Sequence, residues 1–82
     1  MDWTIYILRC ADGTLYCGVT NNLARRLTQH NAGRGAKYTM RRGPVTVVYT
    51  EDAPDRSAAQ KREAAIKKLT RPEKLSLIKW AA

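Results

Sequence analysis

An α+β fold, a small sheet of three strands flanked by helices, is predicted for this 82-residue chain from three features. Two short runs rich in β-branched and aromatic residues, Trp3 to Arg9 and Thr14 to Val19, flank Asp12-Gly13, a strong hairpin signal. A third run, Val45-Thr46-Val47-Val48-Tyr49, is the most β-prone in the chain. Between and after these runs lie basic segments whose apolar residues recur at helical spacing.

The first helix follows the second strand directly. Asn21 or Asn22 can cap it, Leu23, Ala24 and Leu27 form its apolar stripe, and Asn31 and Gly33 end it after about ten residues. Gly33 to Pro44 has glycines near both ends and reads as a basic loop with at most one or two helical turns. Glu51 to Asp55 also reads as a loop. Ser57 or Asp55 can then cap a helix from about Ala58 to Leu69, with apolar positions Ala58, Ala59, Ala65, Ile66 and Leu69. Thr70-Arg71-Pro72 breaks it, and a last helix from Glu73 to Trp80 uses Leu75, Ile78 and Trp80 to cover the sheet. The chain is expected to be one domain over residues 1–82, too short to bury a second core.

Two hairpin registers are open. A strict two-residue Asp12-Gly13 turn pairs Ala11 with Thr14 and sends Tyr6 and Tyr16 to opposite faces. A three-residue turn with Gly13 left-handed and a G1 bulge instead sets Cys10 opposite Thr14 and Tyr6 opposite Gly18. Both phenols then share one face, and Gly18 leaves room for the Tyr6 ring.

Fifteen Lys and Arg against seven Asp and Glu give a formal charge of +8, which favours a polyanion, nucleic acid first. The distribution is uneven. No acid occurs between Asp12 and Glu51, where Arg25, Arg26, Arg34, Lys37, Arg41 and Arg42 all fall. With no apolar stretch of about 20 residues and no basic-then-apolar leader, a cytosolic protein without membrane association is expected. Cys10 and Cys17 match no zinc spacing and read as ordinary strand cysteines, with pairing across the hairpin as the alternative.

At 100° per residue Arg26 and His30 lie on one side of the first helix beside the Leu23/Leu27 stripe, whereas Arg25 points toward solvent. Strand, turn, strand and helix can thus bring two phenols, a guanidinium and an imidazole together, a set suited to phosphodiester chemistry. Solvated helix arginines and tyrosines packed at a sheet rim are the plainer alternative. Glu63 lies at the edge of its helix's apolar stripe, and pairing with Lys67 or Arg62 would account for it without any function.

In combination, Thr4-Ile5-Tyr6, Tyr16-Cys17-Gly18, the run Gly18 to Arg26 with His30, and Glu63 followed by Ile66-Lys67-Lys68-Leu69 resemble the GIY-YIG nuclease superfamily. The likeness extends over the whole chain and is greatest to the short standalone branch, for which Gly35-Ala36-Lys37-Tyr38-Thr39 looks specific. It implies a three-stranded antiparallel sheet with the site on the sheet face near the first helix. Tyr6, Tyr16, Arg26, His30 and Glu63 would be catalytic, and Glu63 would hold one divalent ion, Mg²⁺ or Mn²⁺. Arg26 would stabilise the transition-state charge, Tyr6 or Tyr16 would orient or deprotonate water, and His30 would relay a proton or contact phosphate. Departures are Thr4 for the first triplet's glycine, Cys17 for an aliphatic residue, Val19 where some branches carry lysine, and no evident later asparagine.

The function this implies is a metal-dependent endonuclease acting on DNA with low sequence specificity, on branched or damaged substrates, with RNA not excluded. The alternatives are a non-catalytic nucleic-acid-binding module using Arg25, Arg34, Lys37, Tyr38, Arg41 and Arg42, and an adaptor domain. A monomer or a weak homodimer joined at the exposed sheet edge would serve either.

Overall fold

The computed structural model describes residues 2–34 and 42–81, with no side-chain description beyond Lys79. Among them are strands β1 (Trp3–Arg9), β2 (Leu15–Thr20) and β3 (Thr46–Ala53), and helices α1 (Leu23–Asn31), α2 (Arg56–Lys67) and α3 (Arg71–Ala81). The strands form one antiparallel sheet in the order β2-β1-β3, which makes β1 central and leaves β2 at an edge.

Strand β1 is buried on both faces: Ile5, Tyr6, Ile7 and Leu8 are consecutive and almost fully inaccessible. This is why it reads as a continuous apolar run rather than as an alternation. Ile5 and Ile7 join Cys17, Ala53, Ala59 and Ile66 in a core beneath α2 and α3. Tyr6, Leu8 and Cys10 face the other way, with Val45, and pack against Leu23 and Leu27 of α1. The two unbridged cysteines therefore occupy opposite faces of the sheet, which rules out the cross-hairpin disulfide.

The hairpin takes the three-residue form. Gly13 has φ +85°, its N–H donates to Cys10 O, and Cys10 N–H donates to Thr14 O at 2.8 Å. Asp12 accepts from the backbone and hydroxyl of Thr14 and from Arg42 at 2.6 Å. These bonds, those from Thr14 first, hold its carboxyl down at about 2. The resulting register sets Tyr6 opposite Gly18 and Leu8 opposite Tyr16.

Three expectations need correction. Strand β3 runs on to Ala53 where a loop from Glu51 was expected. Glu51 and Asp52 pair with Ile5 and Thr4 of β1, and Glu51 accepts from Tyr49 Oη (2.7 Å) and Arg62 Nε (2.9 Å). Pairing with a central strand thereby overrides the low β-propensity of acidic residues. Helix α2 starts at Arg56, capped by Asp55, and stops at Lys67. Helix α3 covers the core with Leu77 and Ile78, while Leu75 stays 44% exposed. Adjacent Leu77 and Ile78 centre the buried face between them and turn Leu75 off it. A capping box between Thr70 and Glu73, and a bond from Arg71 to Gly13 O, fix the start of α3.

Gly18 is required by close approach, since a Cβ placed there would lie 2.5 Å from Tyr6 Oη and 2.6 Å from Cζ. Alanine normally stabilises a strand interior by about 0.5–1 kcal/mol over glycine. Gly18→Ala should instead cost a net ~1–2 kcal/mol, because the Tyr6 ring must shift within a packed core. Urea denaturation measures this, and a stabilised variant would contradict the packing.

Candidate active site

The site is built where β1, β2 and α1 meet. Asn22 caps α1 by accepting from Arg25 N–H at 3.1 Å. The Leu23/Leu27 stripe then seats the helix on the sheet, so Arg26 and His30, one turn apart, face the phenols of β1 and β2. His30 is 1% exposed, and its Nε2 lies 3.0 Å from Tyr6 Oη in a buried hydrogen bond. Both tyrosine rings meet the imidazole edge-on, Tyr6 at 5.9 Å and Tyr16 at 5.5 Å between centroids. Tyr6 itself is 1% exposed, whereas Tyr16 is half-buried and within reach of solvent.

Burial pushes the Tyr6 phenol above its ordinary value; Arg26, by hydrogen bonding and charge, pulls the other way. Burial, then the charge of Arg26, pushes the His30 imidazole down. At neutral pH the pair therefore consists of a protonated phenol and a neutral imidazole. Arg26 also donates from Nη1 to Gln29 Oε1 at 3.2 Å.

Glu63 comes from the other side of the sheet. It lies on α2 between the buried Ala59 and Ile66, with its side chain 22% exposed and its Oε2 3.5 Å from Lys67 Nζ. Its charge nonetheless raises the pKa of both Tyr6 and Cys17. Because β2 is an edge strand, groups from both faces can approach each other around its outer side. No three His, Cys, Asp or Glu side chains converge among the described residues. A metal here would depend on this one carboxylate with water and substrate oxygens, a donor set that suits Mg²⁺, which keeps most of its waters. The Lys67 pair is longer than a tight charge-assisted bond, and Glu63 is accessible enough to exchange it for an ion.

Beside this cluster an open cleft of about 280 Å³ is lined by Trp3, Asn21, Asn22, Arg25, Arg26 and Gln29, with Val19 and Thr20. Arg25 is exposed, as expected, yet shares this wall with Arg26. Arg34 is exposed, and Arg42 is tied to Asp12 at the hairpin tip. Lys37, Tyr38 and Arg41 lie outside the described residues. Neither Trp3 nor Gln29 is marked out by sequence pattern: Trp3 merges with the apolar run of β1. The available clue to Gln29 is its spacing of three from Arg26.

A buried phenol-imidazole pair beside a guanidinium thus sits on a three-stranded antiparallel sheet with helices on both faces, a compact α+β domain. The chain belongs to the GIY-YIG family: residues 2–76 match the model of the GIY-YIG catalytic domain. It is 55% identical over 78 residues to a UPF0213 protein of Desulfotalea psychrophila, covering 94% of this chain and 71% of that relative. A UPF0213 protein of Clostridium perfringens is 57% identical over 74 residues, covering 90% and 80%. Among solved structures, a UPF0213 protein of Bacillus halodurans is similar at TM-score 0.63 and 40% identity, covering 98% of this chain and 85% of that one. A protein of E. faecalis is similar at 0.64 and 43%, covering 98% and 86%. Family membership suggests nuclease activity.

The depressed His30 pKa has a defined sign in stability. The folded imidazole binds its proton more weakly than the unfolded one, so its contribution is complete above the unfolded value of about 6.5. It is lost as pH falls from there through the folded value. Wild type should lose stability between about pH 7 and pH 5.5 more steeply than His30→Gln. Denaturant midpoints across that range test this, and parallel pH profiles would contradict it.

Proposed function

We propose that this protein is a divalent-metal-dependent endonuclease that hydrolyses DNA with low sequence preference, branched or damaged DNA included. The observation that supports this reading most is the Tyr6 Oη to His30 Nε2 bond at 3.0 Å, buried beside Arg26 and against Tyr16. A structural core has little need of two phenols, an imidazole and a guanidinium packed on one another at a cleft.

The residues divide by exposure. Tyr6 is too buried to touch substrate; its protonated phenol fixes the plane and position of the imidazole. Tyr16 is the phenol that solvent reaches, and it orients the attacking water. Neutral His30 is as buried as Tyr6 and does not touch the water itself; in ring contact with Tyr16, it takes the proton that the Tyr16 hydroxyl relays, a general-base role worth about 10²- to 10⁴-fold. Arg26 holds the scissile phosphate in its planar fork and stabilises the negative charge that builds on the non-bridging oxygens. Glu63 would hold the divalent ion, which when bound supplies Lewis-acid stabilisation of the phosphoryl oxygens. Arg25 and Arg34 steer the backbone without reading sequence. One site per chain nicks a single strand.

A non-catalytic binding module is favoured by one observation, the pairing of Glu63 with Lys67. Incubation with nicked, branched and duplex DNA in Mg²⁺, Mn²⁺ or chelator separates the two readings. Wild type should nick with metal and not with chelator. Arg26→Ala should lose about 10²- to 10³-fold in rate, Arg26→Lys should recover little of it, and Glu63→Gln should abolish the metal-dependent nicking. If wild type is no more active than these variants while its binding weakens steeply with salt and ignores chelator, the module replaces the enzyme.

A further inference from the structure

We propose that the side of α2 turned toward β2 is a second phosphate-binding surface. Arg56, Gln60 and Lys67, continued by Lys74 of α3, hold the backbone of a nucleic-acid duplex across the β2 edge from Arg25 and Arg26. The inference rests on the nucleic-acid reading above for the kind of partner and adds where that partner lies: it wraps the edge strand instead of resting on the α1 face alone.

More than half of the chain's fifteen Lys and Arg, eight of them, fall between Arg56 and Lys79, against two acids, Glu63 and Glu73. The roles assigned above use the cations of residues 25–42 and leave these without one. Glu73 is engaged with Thr70 at the start of α3, and Arg62 with Glu51 of β3. The remainder is strongly positive. Like charge gathered on one face works against the compact state until an anion meets it.

Helical projection divides these cations. Arg56, Gln60, Glu63 and Lys67 recur at spacings of four, three and four and share one side of α2. Arg62 lies on the other side, where it donates to Glu51 of β3 at 2.9 Å. Because β2 and β3 flank β1 from opposite sides, this turns the stripe toward β2. Burial and Glu63 push the Cys17 thiol of β2 up while Lys67 and Lys74 pull it back, which places both lysines near that strand. Lys61 and Lys68 point away from the sheet. Arg56 and Gln60 are exposed, and Lys67, 51% exposed, has N–H groups to spare beyond its 3.5 Å pair with Glu63.

Two contacts set the course of the stripe along the strand. Arg56 lies over Trp3, 5.7 Å from the ring centroid, and Trp3 borders the cleft that Arg25 and Arg26 line. One indole therefore separates the cations of α2 from those of α1. At the other end Arg71 donates to Gly13 O at the hairpin tip. From Arg56 to Lys67 the helix rises about 16 Å, the length of about five nucleotide steps of a duplex strand.

Binding of a short labelled DNA duplex in chelator, followed by anisotropy from about 50 to 200 mM NaCl, tests this. Each phosphate contact contributes about 0.9 to the slope of log K against log salt. Over that range Arg56→Gln and Lys74→Gln should therefore each lose about 3.5-fold less affinity than wild type. Lys61→Gln and Lys68→Gln remove the same charge from the outward face and should leave the salt dependence unchanged. Wild-type protein supplies a second measurement, independent of how any variant folds: bound duplex should shield Lys67 and Lys74 from acetylation more than Lys61 and Lys68, read by mass spectrometry. Equal effects at all four substituted positions overturn the surface, and so does an absence of shielding at Lys67 and Lys74, which leaves this side of α2 to a protein partner. Full salt dependence in Arg56→Gln and Lys74→Gln, with nicking in Mg²⁺ intact, overturns the surface alone. The expected binding pattern without nicking in Mg²⁺ overturns the nuclease reading alone, and a wild type that binds no duplex overturns both.

Discussion

The architecture of the site depends on a phenol lying across a glycine. Tyr6 starts from the central strand and crosses to the edge strand over Gly18, where a methyl group would collide with it. From there its hydroxyl reaches His30 on α1, so one buried side chain ties β1, β2 and α1 together. Leaving either polar group unpaired in this dry environment would cost about 1–3 kcal/mol, which makes the bond a strong constraint on how the helix seats. Helix rotation and imidazole placement both follow from it.

Burial of this pair also sets its charge state. With the phenol pushed up and the imidazole pushed down, neither is ionised near neutrality, and Arg26 is the standing positive charge in contact with them. A cation beside two neutral hydrogen-bonding groups is an environment that receives an anion without first having to expel one. Glu63 is set apart from it by the sheet, close enough to be felt by Tyr6 yet paired on its own helix with Lys67. Their approach around the sheet is possible because β2 has no strand beyond it.

Much of this was legible from residue order. The Asp12-Gly13 turn, with Gly13 able to take a positive φ, sets a register that brings Tyr6 over Gly18, and four-residue spacing aligns Arg26 with His30. What stayed hidden depends on long-range partners. Glu51 and Asp52 look like loop residues until β1 pairs with them and Arg62 neutralises one of them. The rotation of α3 was not readable from an apolar pattern with two adjacent candidates. The strand order and the approach of Trp3 to Arg25 and Arg26 arise only when the sheet assembles, because residues distant in sequence share no local signal.

The most direct test of the convergence at the β2 edge is paramagnetic NMR with Mn²⁺ and a short cleavage-resistant phosphorothioate oligonucleotide bound to the protein. Broadening centred on Gly18, Tyr16, Arg26 and Glu63, and requiring both ion and oligonucleotide, is the result expected. Broadening confined to the acidic stretch at Glu51, Asp52 and Asp55, or spread without a centre, would contradict a common site for metal and phosphate.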